Sequence, residues 1–320
     1  AKVMVESALL PASSRRRPGR FELGPWLGPW LGLWLGLWLG LVLVLLAASP
    51  GIARAAAPVT PLLDGMGPDR GPVVSRIPLA QRYFHQGMTL TWGFNPAEAV
   101  RSFAGAVAID PGCALCYWGL AWTSGPNINA DMTVDDAVRV GDALARARVL
   151  AAKAPRRERE LIEALSARHP AAGDAAALDE EAYAERMRAL ARRYPRDADI
   201  ATFAAEAILN LHPYDWWTKD GGAQPWTGEI RTLLSRALAN APGHPGANHY
   251  WVHLMESSAH PEQAQASADR LTRLVPGSGH LTHMPAHIQM RTGRYAEAVA
   301  ANERAIAADE RYVAQVDAQG

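Results

Sequence analysis

Four histidines carry the sharpest chemical signal in this chain. His249 and His253 stand four residues apart, and so do His283 and His287. On a helix that spacing puts two side chains on one face, close enough for two imidazoles to share a cation. Nitrogen and oxygen donors suit Zn(II), Cu(II), Ni(II) or Fe(II). The plainer alternative is that the rings hydrogen-bond one another, the backbone, or acidic side chains of a peptide. Neither pair reads His-Glu-x-x-His: the stretches are His249-Tyr250-Trp251-Val252-His253 and His283-Met284-Pro285-Ala286-His287. Metalloprotease chemistry is therefore excluded from these helices on their own. Cys113 and Cys116, the only cysteines, form a CxxC just after Pro111-Gly112. Tyr117 stands where haem attachment would need His. A thioredoxin-like role needs a strand–helix context, and the chain around the pair reads as helical. A local disulfide or two packed thiols is the expectation.

The elements that hold these residues are helical throughout. Residues 245–278 laid over 279–312, a shift of 34, bring His249 onto His283 and His253 onto His287, with Ala264 on Ala298 and Leu271 on Ala305. A 34-residue period belongs to paired helices that stack because no pair can bury its own apolar face. Residues 79–92 and 96–109 read as a first antiparallel pair, closed by Pro111, since proline stops one helix and can open the next. Closing prolines recur at Pro155, Pro195, Pro242 and Pro276, and Glu310 takes the last slot. The wider middle spacings place insertions inside the pairs, at 123–134, 169–179 and 212–227. The third holds Trp216, Trp217 and Trp226 and should fold down onto the helices.

Charge and the opening segment bear on compartment. The chain has 32 basic and 32 acidic side chains; six of the basic and two of the acidic ones fall in residues 1–55, leaving 26 against 30. That remainder is mildly acidic, so nucleic acid is not an expected partner. Residues 15–20 are basic and 23–53 carry no charge, and Ala53-Arg54-Ala55 supplies a small-x-small exit. Residues 1–55 are therefore expected to be a signal peptide cleaved after Ala55, or, uncleaved, an N-terminal membrane anchor. Either way the folded part would be periplasmic or secreted. The Pro- and Gly-rich residues 56–77 read as a linker.

Tyr83, Gly87, Ala99, Phe103, Ala106 and Pro111 together resemble the tetratricopeptide repeat. The resemblance covers residues 78–320 and implies an all-α solenoid of antiparallel helix pairs in a right-handed superhelix. It implies a concave groove lined by the fifth and ninth residues of each first helix. Here those include Phe84, Met88, Trp118, Trp122, Thr202 and Glu206, then the four paired histidines, with His280 also facing inward. The groove would be aromatic in its first half and rich in His, with Glu206 as a carboxylate, in its second. Tyr312 would begin a further helix of a longer array. The leading expectation is an exported scaffold that binds a protein or peptide in the groove, rather than an enzyme. The alternative is a metal-binding protein, an enzyme among the options, with His249, His253, His280, His283, His287 and Glu206 as its site.

Overall fold

A computed structural model describes residues 60–316, apart from 69, 70, 172, 173 and 176. The expected signal peptide or anchor lies outside the described residues. Among those described there is no strand, only two isolated bridges, Asn127 with Ala130 and Trp217 with Ala223. No helix among them is long and apolar enough to cross a membrane.

In chain order the helices are α1 (Pro78–Trp92), α2 (Pro96–Ile109), α3 (Ala114–Thr123), α4 (Val134–Ala151), α5 (Arg156–Arg168), α6 (Glu180–Arg193) and α7 (Ala198–Leu211). They continue as α8 (Thr227–Asn240), α9 (Pro245–Glu256), a short 3₁₀ turn, α10 (Gln265–Leu274), α11 (Gly279–His283), α12 (Pro285–Arg291) and α13 (Tyr295–Gln315). Their starts follow from local chemistry. Proline occupies the first turn of α1, α2, α9 and α12, where its missing N–H costs nothing. Asn95, Asp197 and Ser278 cap α2, α7 and α11 by accepting a backbone N–H, and Thr133 with Asp136 forms a capping box on α4.

Consecutive helices pack against each other, and α1 lies beside α3, α3 beside α5, and α7 beside α9. Close approach rests on small residues. The Phe103 ring lies between Gly87 and Gly119, where a Cβ would come within 2.8 Å and 2.3 Å of it. Trp92 takes the corresponding place over Gly246, which joins α1 to α9. Here the structure departs from an open groove. Trp92, Trp122, Phe203 and Tyr250 meet as an aromatic centre, with ring centroids 4.7, 5.1 and 6.0 Å from Trp92. Because large aromatic side chains fill the inner faces, these faces bury one another instead of opening to solvent.

The expectations for the insertions are met, and those for the linker and for Tyr312 meet a different outcome. The insertions fall inside the pairs as expected, and the 212–226 segment folds down: Trp216 is fully buried, and the Trp217 indole donates to the Leu254 carbonyl at 2.6 Å. The described part of the linker is not free chain. Leu63 is buried and its N–H donates to Gln86, Gly65 accepts from Gly277 N–H at 2.9 Å, and Asp64 N–H donates to Gln315. No new helix begins at Tyr312: with Glu310 in place of a proline, α13 runs on to Gln315, and Tyr312 donates its hydroxyl to Glu98.

Candidate metal centre

The histidines sit on three helices. His249 and His253 project from α9, His280 and His283 from α11, and His287 from α12. Pro285 breaks the backbone between α11 and α12 but does not spoil the spacing. Met284 keeps helical angles and donates to His280, since proline removes only its own N–H. The ring centroids of His283 and His287 are 4.7 Å apart, the same separation as in the pair His249 and His253.

All five rings converge. His249 and His280 approach Nε2 to Nε2 at 2.9 Å, and His283 and His287 do the same at 2.9 Å. Two groups have ligand atoms within 4.8 Å of one another: His249 with His253 and His280, and His253 with Glu256 and His287. A His/Glu group in this protein could therefore hold a metal ion. Phe94 covers it, with its ring 4.6 Å from His249 and 5.2 Å from His280. Its backbone is left-handed, φ 52°, a conformation that costs a bulky residue about 1–3 kcal/mol and persists where the surroundings impose it.

Glu256 fixes which ring nitrogens carry protons. Its two oxygens take His253 Nδ1 at 2.9 Å and His287 Nδ1 at 2.5 Å. Burial alone would raise its pKa, but the hydrogen bonds from His253 and His287 outweigh that and bring it down to about 2. An ionised carboxylate only accepts, so both Nδ1 atoms donate. Asn302 does the same for His283: its amide N–H donates to the Ala298 carbonyl, which leaves Oδ1 to accept from His283 Nδ1 at 2.6 Å. Carboxylate or amide oxygens behind ligand imidazoles are the usual way to orient them. Two donors 2.5 Å apart would subtend only about 75° at an ion about 2.0–2.1 Å from each. Glu256 is thus better suited to orient His287 than to share a metal with its Nδ1.

Burial completes the electrostatics. His249 is buried, and desolvation with the neighbouring His253 and His280 drives its pKa well below the ordinary value. Desolvation lowers that of His253, and lowers His280 to about 3 with help from His253. These three are neutral imidazoles near pH 7, the form that binds a cation. His253 Nε2 is buried with no hydrogen-bond partner among the described residues.

The remaining expected positions fall elsewhere. Phe84, Met88 and Trp118 line a cavity of about 590 Å³. Trp122 stacks on Trp118 and donates to Glu206 at 3.1 Å. Thr202 is buried, its hydroxyl spent on Ala198. Glu206 belongs to neither group of clustered ligand atoms; burial pushes its pKa up to about 7 even though Arg168 opposes the shift. Glu256 holds the place expected for it. Sequence reasoning missed Glu256, although it lies three residues after His253 on the same helix face. Phe94 and Asn302 carried no signal of that kind. Cys113 and Cys116 form a disulfide, both buried at the start of α3, where Cys113 sulfur also accepts from Cys116 N–H. Comparison with protein families finds no match for the chain, and comparison with curated proteins finds none either.

Proposed function

We propose that this protein binds a transition metal through His249, His253 and His280. The observation that carries the reading is the clustering of ligand nitrogens from His249, His253 and His280, the first two buried and the third half-buried, together with a His253 Nε2 that has no hydrogen-bond partner among the described residues. An unpaired buried nitrogen costs about 1–3 kcal/mol, and a coordinated cation removes that cost. The 2.9 Å separation of His249 and His280 nitrogens subtends about 90° at an ion about 2.0–2.1 Å away. That is the cis angle of octahedral or tetragonal coordination, so Cu(II), Ni(II) and Fe(II) suit the pair better than tetrahedral Zn(II). Elemental analysis of protein taken from its native compartment, with calorimetric titration of the metal-free form, tests this. His249→Ala with His253→Ala should abolish high-affinity binding; equal heats from variant and parent would refute it.

The order of helix pairs supports the tetratricopeptide-like reading of the array. The basic residues 15–17 and 20 followed by the uncharged run 23–53, and the Cys113–Cys116 disulfide, support export to a periplasmic or extracellular, oxidising compartment. A second reading, capture of a protein or peptide partner, is favoured by one feature. The cavity lined by Phe84, Met88 and Trp118 would take an apolar side chain, with Arg157, Asp197 and Asp199 at its edge. Trp118→Ala should then weaken partner binding without changing metal content.

A further inference from the structure

His283 and His287 present a problem that hydrogen bonding among neutral rings does not solve. The Nδ1 proton of His287 goes to Glu256, and that of His283 goes to Asn302. A neutral imidazole has one N–H. Both Nε2 atoms therefore carry lone pairs, and they face each other at 2.9 Å. Nothing in that gap holds them together unless a cation lies there, either a proton shared by an imidazolium or a metal ion. The separation again matches about 90° at an ion about 2.0–2.1 Å from each nitrogen.

We infer that His283 and His287 hold a second divalent transition metal beside the first, so that the centre is binuclear. The inference rests on the reading of His249, His253 and His280 as a metal site, and it deepens that reading. The two sets are adjacent: the His280 and His283 ring centroids are 6.1 Å apart, and those of His253 and His287 are 5.3 Å apart. The second ion has fewer protein ligands than the first. His283 opens onto a cavity of about 500 Å³, which it lines with Phe94, His280, Asn302, Asp309 and Tyr312. Water or a small exogenous molecule completes the coordination of the second ion from that side, while two of the three ligands of the first ion, His249 and His253, are buried. Asp309 is the only acidic side chain lining this cavity among the described residues, and no Lys or Arg lines it, which makes neutral or cationic molecules the fitting class.

The test is metal stoichiometry on the full chain with Cu(II) and Ni(II), by titration and by elemental analysis after dialysis. Two ions per chain are expected for the parent. His283→Ala with His287→Ala should bind one, at unchanged affinity for that ion. Asn302 is exposed, so Asn302→Ala should fold normally. It frees His283 to move its proton to Nε2 and hydrogen-bond to His287, and so should weaken only the second ion, by about 10- to 100-fold. A single ion in the parent that survives loss of His283 and His287 would overturn the inference and mark the gap as a shared proton. A single ion that disappears with them would overturn it too, by showing one centre that uses all five rings. No bound ion at all would refute the first metal reading as well.

Discussion

Replacing Glu256 by Gln is the most informative single change at the centre. The parent carboxylate is ionised above about pH 2 and accepts two N–H groups, at 2.9 and 2.5 Å. Glutamine keeps the shape but offers one acceptor oxygen and one donor amide. Whichever ring faces the amide must accept at Nδ1, which moves its proton to Nε2 and removes a metal-binding lone pair. Loss of such an orienting partner typically costs 10–100-fold in metal affinity, which corresponds to about 1.4–2.7 kcal/mol. Competition titration against a chromophoric chelator, at a pH where the parent rings are neutral, measures it directly. The helical content should stay unchanged, because Glu256 ends α9 and is not in its interior. An affinity within twofold of the parent would refute the argument that Glu256 sets the tautomers of His253 and His287.

Three other perturbations probe the framework. Glu206 has its pKa raised to about 7 by burial, above its ordinary value of 4.5, so the folded protein binds a proton more readily than the unfolded chain. Stability should then fall as pH rises from about 4.5 to 7, by about 3 kcal/mol from this group, and Glu206→Gln should remove that slope in urea unfolding series. Gly119→Ala puts a Cβ 2.3 Å from the Phe103 ring and should cost about 1–3 kcal/mol, read as a lower denaturation midpoint. The disulfide joins residues only three apart, so replacing both cysteines by Ser should cost about 2 kcal/mol and leave the helical spectrum intact.

The sequence made the helices legible because their punctuation is local. Pro78, Pro96 and Pro245 mark helix starts by chemistry that needs no tertiary partner, and the insertions showed as excess spacing between closing prolines. The four paired histidines were legible because a 34-residue shift superposes them. Glu256 was not, because the shift pairs it with Met290, so it has no counterpart in the repeat. Glu206 drew the assignment of carboxylate ligand because it shares the register of His253. Register says which face a residue occupies and nothing about what already fills that face; Trp122 reaches Glu206 first. The enclosed aromatic centre had the same cause. Trp92 ends α1 and packs against residues more than 100 positions away, among them Phe203 and Tyr250, contacts that no local period encodes.

The bonds that residues 63–65 make to Gln86, Gly277 and Gln315 bear on how the molecule comes apart. In a row of units that touch only their neighbours, either end can fray alone and the middle melts later. Here the Asp64–Gln315 bond spans 251 positions, and α1 also rests on α9. Bringing so distant a pair together costs about 5 kcal/mol of chain entropy, beyond a constant, before any contact rewards it. The joining of the two ends should accordingly follow the formation of the pairs. Once joined, the ends protect each other, and amide hydrogens in α1 and α13 should exchange as one cooperative block with those of α9.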